Sequence, residues 1–232
     1  MLTLTPLEIE ALLLSLRIGI VSVIFSLPFA LAVAWLLARR DFPGKSLIDG
    51  IVHLPLVLPP VAVGFTLLVL FGRNGVIGAF LYDWFGLTFA FNWKGAALAS
   101  GVVAFPLMVR AMRLSLELVD RKLEAAARSL GANRLRSALT ITIPLMSPGI
   151  LTAAILGFAR SVGEFGATIT FVSNIPGQTR TLPIALYVLT QVPGSDAATW
   201  RLAILSVLIA LAALIGSELI AKRLSARVRG TE

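Results

Sequence analysis

The chain has 232 residues, 57% of them hydrophobic and 14% charged, and its mean hydropathy is +0.91. A soluble domain of this size carries about a quarter of its residues as charges, so much of this chain must face lipid. It has no Cys and a single His, His53, which excludes disulfides and thiolate metal sites and argues against a His-based zinc site.

A helix rises about 1.5 Å per residue, so crossing about 30 Å of hydrocarbon takes about 20 apolar residues. Five stretches meet that length. The first, 11–38, has Arg17 near its outer end and Pro28 inside; Glu8 and Glu10 stand before it in place of a basic start, so it is expected to be retained rather than cleaved. The second, 51–71, contains Pro55, Pro59 and Pro60, which free backbone carbonyls and kink a helix, and could mark a gate. His53 near its start reads as a satisfied interfacial residue. The third, 95–116, ends with Arg110 and Arg113, which can snorkel to the interface. The fourth, 147–172, carries Arg160 and Glu164, and the fifth covers 202–221. Between these two lies 184–192, bounded by Pro183 and Pro193; nine residues are too few to cross, so a re-entrant segment is expected. Trp84, Trp93 and Trp200 fall where an outer aromatic belt belongs.

Lys and Arg in the short loops set the orientation. Arg39, Arg40 and Lys45 follow the first span, seven basic residues lie between positions 110 and 136, and Lys222, Arg223, Arg227 and Arg229 follow the last. With alternating spans all 14 fall on one side, against Arg73, Lys94, Arg180 and Arg201 on the other. The basic side is read as cytoplasm, which puts the N-terminus outside and the C-terminus inside. The same asymmetry accounts for the net charge of +8 without nucleic acid, since no soluble basic domain remains to bind it.

The loop 120–144 carries more pattern than a connection needs. Asp120 can cap a helix that starts at Arg121, and Gly131 stands where a C-terminal stop belongs. Leu123, Ala126, Ala127 and Leu130 recur at helical spacing as one apolar stripe, leaving Arg121, Lys122, Glu124 and Arg128 on the rest of the surface. Asn133 can open a second helical segment, 134–142, which Pro144 is expected to stop. Such a stripe can lie on the lipid surface or fill a groove in another protein; the small Ala125, Ala126 and Ala127 favour close protein contact.

The run Glu124-Ala125-Ala126-Ala127-Arg128-Ser129-Leu130-Gly131, followed by Ile141-Thr142-Ile143-Pro144, resembles the EAA loop of binding-protein-dependent ABC importer permeases. Counting back from Gly131 puts Ala125 where that family has its Glu, with Glu124 one residue early, and Ile143 replaces a Leu. The resemblance implies a coupling helix, with Glu124, Ala125, Ala126, Ala127, Gly131 and Ala132 docked in a cleft of a cytoplasmic ATPase. The chain has no ATP site of its own: Gly44-Lys45-Ser46 resembles the end of a phosphate-binding loop, but Arg39 stands where its first Gly belongs.

The resemblance runs on over nearly the whole chain and is similar to molybdate-type permeases. His53-Leu54-Pro55-Leu56-Val57-Leu58-Pro59-Pro60, Leu81-Tyr82-Asp83-Trp84-Phe85-Gly86 and Phe158-Ala159-Arg160-Ser161-Val162-Gly163-Glu164-Phe165-Gly166-Ala167-Thr168 carry it, with the stretch through Arg180 to Pro183. The Gly-Glu-Phe-Gly-Ala core is shared with sulfate permeases. What the resemblance implies is an all-α integral membrane protein of the type I ABC importer permease fold, one domain over 1–232. It would work as an inner-membrane homodimer with two cytoplasmic ATPase subunits that use ATP and Mg, and a periplasmic oxyanion-binding protein. No cofactor is implied for this chain.

Arg160 and Glu164, four apart on one helix face, carry two readings. They can glue helices together, or Arg160 can offer a positive field to a passing anion while Glu164 limits how tightly it is held. Ser161, Thr168 and Thr170 can bond substrate or simply bond backbone carbonyls. Gly157, Gly163 and Gly166 read as sites of close helix approach. A sulfate or thiosulfate permease and an ion-coupled carrier or channel are the alternatives; a carrier more often shows an internal repeat, which is not seen here. No His/Glu cluster, Ser-His pair or metal-ligand spacing supports an enzyme.

Overall fold

The computed structural model describes residues 4–229, with side chains described as far as residue 219 except Ser217. The side chains of Lys222, Arg223, Arg227 and Arg229, the last predicted basic cluster, lie outside the described residues.

Helix α1 (Pro6–Arg39) is started by a capping box. The Thr5 hydroxyl accepts from the Glu8 N–H, and the Glu8 carboxylate accepts from the Thr5 N–H at 2.7 Å. Its 34 residues give a rod of about 51 Å, longer than the hydrocarbon is thick.

The predicted second span, 51–71, is corrected. It is two helices, α2 (Lys45–Val57) and α3 (Pro60–Phe71), bent by 113° at the break. Leu58 (ψ 143°) and Pro59 (ψ 132°) are extended because each precedes a proline, whose ring disfavours the helical region for its neighbour. The prolines announce a kink in the sequence; they do not announce its size.

Helix α4 (Val76–Phe85), unpredicted, is a short apolar helix ended by Gly86 at φ 62°. Helix α5 (Trp93–Glu117) is the centre of the bundle. Its small residues Ala96, Ala97, Ala99, Ser100, Gly101 and Ala104 are all buried, which lets α1 pack close in the way small residues do in membrane interfaces.

Helix α6 (Arg121–Ser129) and α7 (Arg134–Ser137) form the loop segment. A π-helical turn, Ala138–Thr142, then runs straight into α8 (Ile143–Val162). The expectation that Pro144 stops the segment is therefore corrected, since 134–162 is one continuous helix. In the π turn Ile143 N–H bonds the Ala138 carbonyl, a one-residue register shift just ahead of a residue that has no N–H to give.

The predicted fourth span, 147–172, is corrected as well. The crossing helix begins at Arg134 and ends at Val162, and a separate short helix α9 (Gly166–Val172) follows a break. Gly163 sits in that break as a helix end, and its β-carbon position meets only the Ala159 carbonyl within 4 Å, so it is not a point of close helix contact. Gly157 and Gly166 do sit at crossings, against Met108 and Pro60.

The segment expected to be re-entrant is helix α10 (Leu182–Thr190), held by α1 through the Leu182 N–H bond to Ser15 Oγ at 2.7 Å. Helix α11 (Asp196–Arg229) completes the chain. Among the described residues no strand occurs, and four unbroken helices are long and apolar enough to cross, with the bent α2–α3 pair as a fifth.

Two main clusters of buried side chains stack along α5. Ile18, Val63, Val103 and Phe171 form one; Ala34, Leu37, Met108, Met112, Leu116 and Met146 form the other. A smaller cluster of Ala11, Ala185 and Leu202 seats α10 between α1 and α11. Phe25, Phe29, Phe65 and Leu208 point outward, as lipid permits and water does not. Trp84 and Trp200 are exposed, whereas Trp93 lies under the Arg17 guanidinium, 3.8 Å from its ring centre.

Candidate functional site

The loop helix α6 is built as its local sequence demands. Asp120 Oδ1 accepts from the Lys122 N–H at 2.8 Å. At the far end Gly131 takes φ 91°, with Gly131 N–H bonded to the Arg128 carbonyl and Ala132 N–H to the Ala127 carbonyl, both at 3.0 Å. That is the Schellman pairing, which needs a left-handed residue at this position. Nothing crowds Gly131, so backbone conformation and not space requires glycine there. Asn133 Oδ1 caps α7 through the Arg136 N–H at 2.8 Å.

The predicted apolar stripe has no cover from its own chain. Leu123 is 46% and Leu130 90% exposed, Ala125 and Ala126 are exposed, and Ala127 and Ala132 are half-buried. The neighbouring Leu135 and Leu139 are exposed too.

Glu124 is the correction here. Periodicity leaves it on the outer surface, yet it points inward with its side chain 19% exposed. Its Oε1 accepts from Arg39 Nη2 at 2.9 Å and from Thr142 Oγ1 at 2.8 Å. Arg39 also donates to the Val119 carbonyl at 3.4 Å. One carboxylate oxygen thus ties α6 to the end of α1 and to the π turn that opens α8. The sequence offers one hint of this, the glutamate's position one residue ahead of the family pattern, which turns it through about 100° on the helix.

The second candidate is the break between α8 and α9. Arg160 Nη1 stands 2.6 Å from Glu164 Oε2, and Glu164 Oε1 accepts from the Ala167 N–H at 2.8 Å. Glu164 is buried while Arg160 keeps 31% of its side chain exposed. The remaining predicted residues are engaged within the protein. Ser161 Oγ lies 2.8 Å from Ser22 Oγ on α1, Thr168 bonds the Phe165 carbonyl at 2.9 Å, and Thr170 bonds the Gly166 carbonyl at 2.8 Å. Helix α3 crosses α9 so closely that a β-carbon on Gly64 would fall on the Ala167 carbonyl oxygen. The two candidate regions share α8: Thr142 adjoins its start and Arg160 lies near its end.

Among the described residues no group of His, Asp and Glu is placed to hold a metal. The sequence profile of the family described as "Binding-protein-dependent transport system inner membrane component" matches residues 26–229. The Molybdenum transport system permease protein ModB of Escherichia coli (strain K12) is 60% identical over 219 residues, 94% of this chain and 96% of that protein. The protein of the same name from Haemophilus influenzae is 58% identical over 221 residues, 95% of this chain and 96% of its own length. The Sulfate transport system permease protein CysT of Salmonella typhimurium is 36% identical over 210 residues, 90% of this chain and 74% of that protein. Among solved structures, the inward-facing MetNI methionine ABC transporter matches with a TM-score of 0.73 at 17% identity, over 94% of this chain and 96% of that one. A bacterial ABC transporter that imports alginate matches at 0.72 and 20% identity, over 95% and 80%; likeness at these identities speaks to the fold alone.

Proposed function

This chain belongs to the binding-protein-dependent transport system inner membrane components, and from that premise we propose that it is the permease of an ATP-driven importer that moves molybdate, or tungstate, into the cell. The observation that carries the substrate is the 60% identity to a molybdenum permease along 94% of the chain. The sulfate permease covers less and is nearer one third identical, so sulfate is the second reading.

The working unit is a homodimer with the pathway between protomers. Two cytoplasmic ATPase subunits consume ATP and Mg, and a periplasmic protein delivers the oxyanion. The N-terminus lies outside and α6 lies inside. Helix α6 seats its bare stripe in the ATPase, and Glu124 keeps the helix from swivelling by joining it to α1 and α8 at once. A displacement of the ATPase then moves α7, the π turn and α8 as one rod, 29 residues and about 43 Å long from Arg134 to Val162. Its far end carries Arg160, whose partly exposed side chain meets the dianion, while Glu164 holds part of its charge back so that the ion can leave. Ser161, Thr168 and Thr170 shape the break, their hydroxyls already engaged with neighbouring oxygens.

The test is uptake of radiolabelled molybdate by proteoliposomes holding this chain, its ATPase and its binding protein. Uptake should require ATP and resist a large excess of sulfate. Uptake without ATP or without the ATPase would point to a self-sufficient carrier, and competition at equal sulfate would transfer the substrate to the second reading.

A further inference from the structure

Between the end of α1, α6, α7 and the π turn lies a recess of about 320 Å³ to which the transport cycle above assigns no ligand. Arg39, Arg40, Arg121, Arg128 and Arg134 line it, with Glu124 as the one carboxylate among its lining residues. Glu124 is already committed to Arg39 and Thr142. The nearby Asp41 is bound to Lys45 at 2.9 Å. Among the described residues Arg40, Arg121, Arg128 and Arg134 form no ion pair. Five arginines therefore line one recess with a single carboxylate among its lining residues; Arg121 donates to the Ala38 carbonyl at 3.2 Å and Arg128 to the Glu124 carbonyl at 3.3 Å, and the Asp41 carboxylate outside the recess acts on Arg121.

One of the five is built in with one of its donors unsatisfied. The Arg39 side chain is only 9% exposed, and its Nε is buried with no hydrogen-bond partner. A buried donor without an acceptor costs free energy that folding rarely leaves unrecovered. Trp35 forms the wall on the membrane side, the kind of aromatic found at headgroup level. Guanidinium forks match phosphate oxygens in shape as well as charge, and basic recesses between helices on the cytoplasmic side take lipid headgroups.

We propose that this recess binds a phosphate group, presented by an anionic phospholipid of the inner leaflet, and that the bound phosphate steadies the seat of α6. The placement in the inner leaflet rests on the orientation given under the proposed function. Free phosphate or the imported oxyanion has the same tetrahedral chemistry and is the other source of such a ligand.

The experiment is native mass spectrometry of the full transporter in detergent, with phosphatidylglycerol or phosphatidylcholine added, on the parent chain and on the Arg40→Gln/Arg128→Gln/Arg134→Gln variant. Each charge-assisted bond from a guanidinium to a phosphate is worth about ten-fold in affinity or more. Phosphatidylglycerol should therefore be retained above phosphatidylcholine by the parent, and the variant should lose that preference by well over ten-fold. Lys94→Gln, on the opposite side of the chain, should leave it intact. Displacement of the lipid by millimolar inorganic phosphate or molybdate, in the parent alone, would keep the phosphate site and assign it to a soluble anion. A preference that survives in the triple variant overturns the proposal. So does loss of the ATPase from the variant with anion binding unchanged, because the recess would then be the partner's seat. Binding in detergent does not depend on sidedness; labelling of Ala132→Cys in this Cys-free chain from either side of sealed vesicles tests the orientation separately.

Discussion

Replacing Glu124 by alanine removes two of the bonds that hold α6 against the bundle, the 2.9 Å bond from Arg39 and the 2.8 Å bond from Thr142, and leaves those of Arg121 to the Ala38 carbonyl and of Ser137 to the residue 124 carbonyl. Arg39 would then be left mostly buried, with Nη2 as well as Nε lacking a side-chain partner. A hydrogen bond to a charged group contributes about 1.5–3 kcal/mol, and breaking a well-buried ion pair costs more. Glu124 keeps a fifth of its exposure, which puts the loss near the lower figure, about 2–3 kcal/mol. None of the α6 residues belongs to the buried core, so the cost falls on the docking of α6 and not on the whole fold. Local opening of 121–131 should rise by about 30- to 150-fold, read as faster amide hydrogen exchange there with the α5 amides unchanged. In proteoliposomes ATP hydrolysis should persist while molybdate uptake per ATP falls several-fold. Thr142→Val, which removes one of the two bonds, should fall between. Unchanged exchange in 121–131 together with unchanged uptake per ATP would refute the anchoring role of Glu124.

Gly131→Val places a branched side chain at φ 91°, at a cost of about 1–3 kcal/mol; uptake should drop at normal membrane levels, and Gly131→Asn, which tolerates that conformation, should keep most of it. Gly64→Ala puts a methyl group on the Ala167 carbonyl oxygen and 2.9 Å from Thr170 Cβ, so the melting temperature of the purified chain should fall, by about 1–3 kcal/mol of overpacking, whereas Phe65→Leu beside it, on an exposed face, should change little. Arg160→Gln strands the buried Glu164 and should lower both stability and uptake; adding Glu164→Gln should restore the melting temperature without restoring uptake, and full recovery of uptake would reduce the pair to structural glue.

What the sequence discloses is mostly local. Asp120, Gly131 and Asn133 act within a few residues of themselves, and each does what its type and position suggest. Glu124 fails that kind of reading because its partners lie 85 residues back and 18 residues ahead; a helical period says which residues share a face, not which face turns inward. Pro144 misleads for a related reason, since the π turn before it absorbs the missing N–H and lets the helix run on. The prolines at 55, 59 and 60 promise a bend, but 113° depends on how α3 finds α9 through Gly64. Helix α4 was legible in principle, an apolar run from 76 to 85 between Gly75 and Gly86; its ten residues are too few for a span, and a search for spans passes over it.

The bare leucines of the loop region have a consequence for how the protein lives in a cell. Leu123, Leu130, Leu135 and Leu139 are all exposed, apolar surface of the kind that chaperones and proteases recognise. On the seating proposed for α6, a copy made without its ATPase should be cleared faster, so the abundance of the chain should follow the supply of that partner.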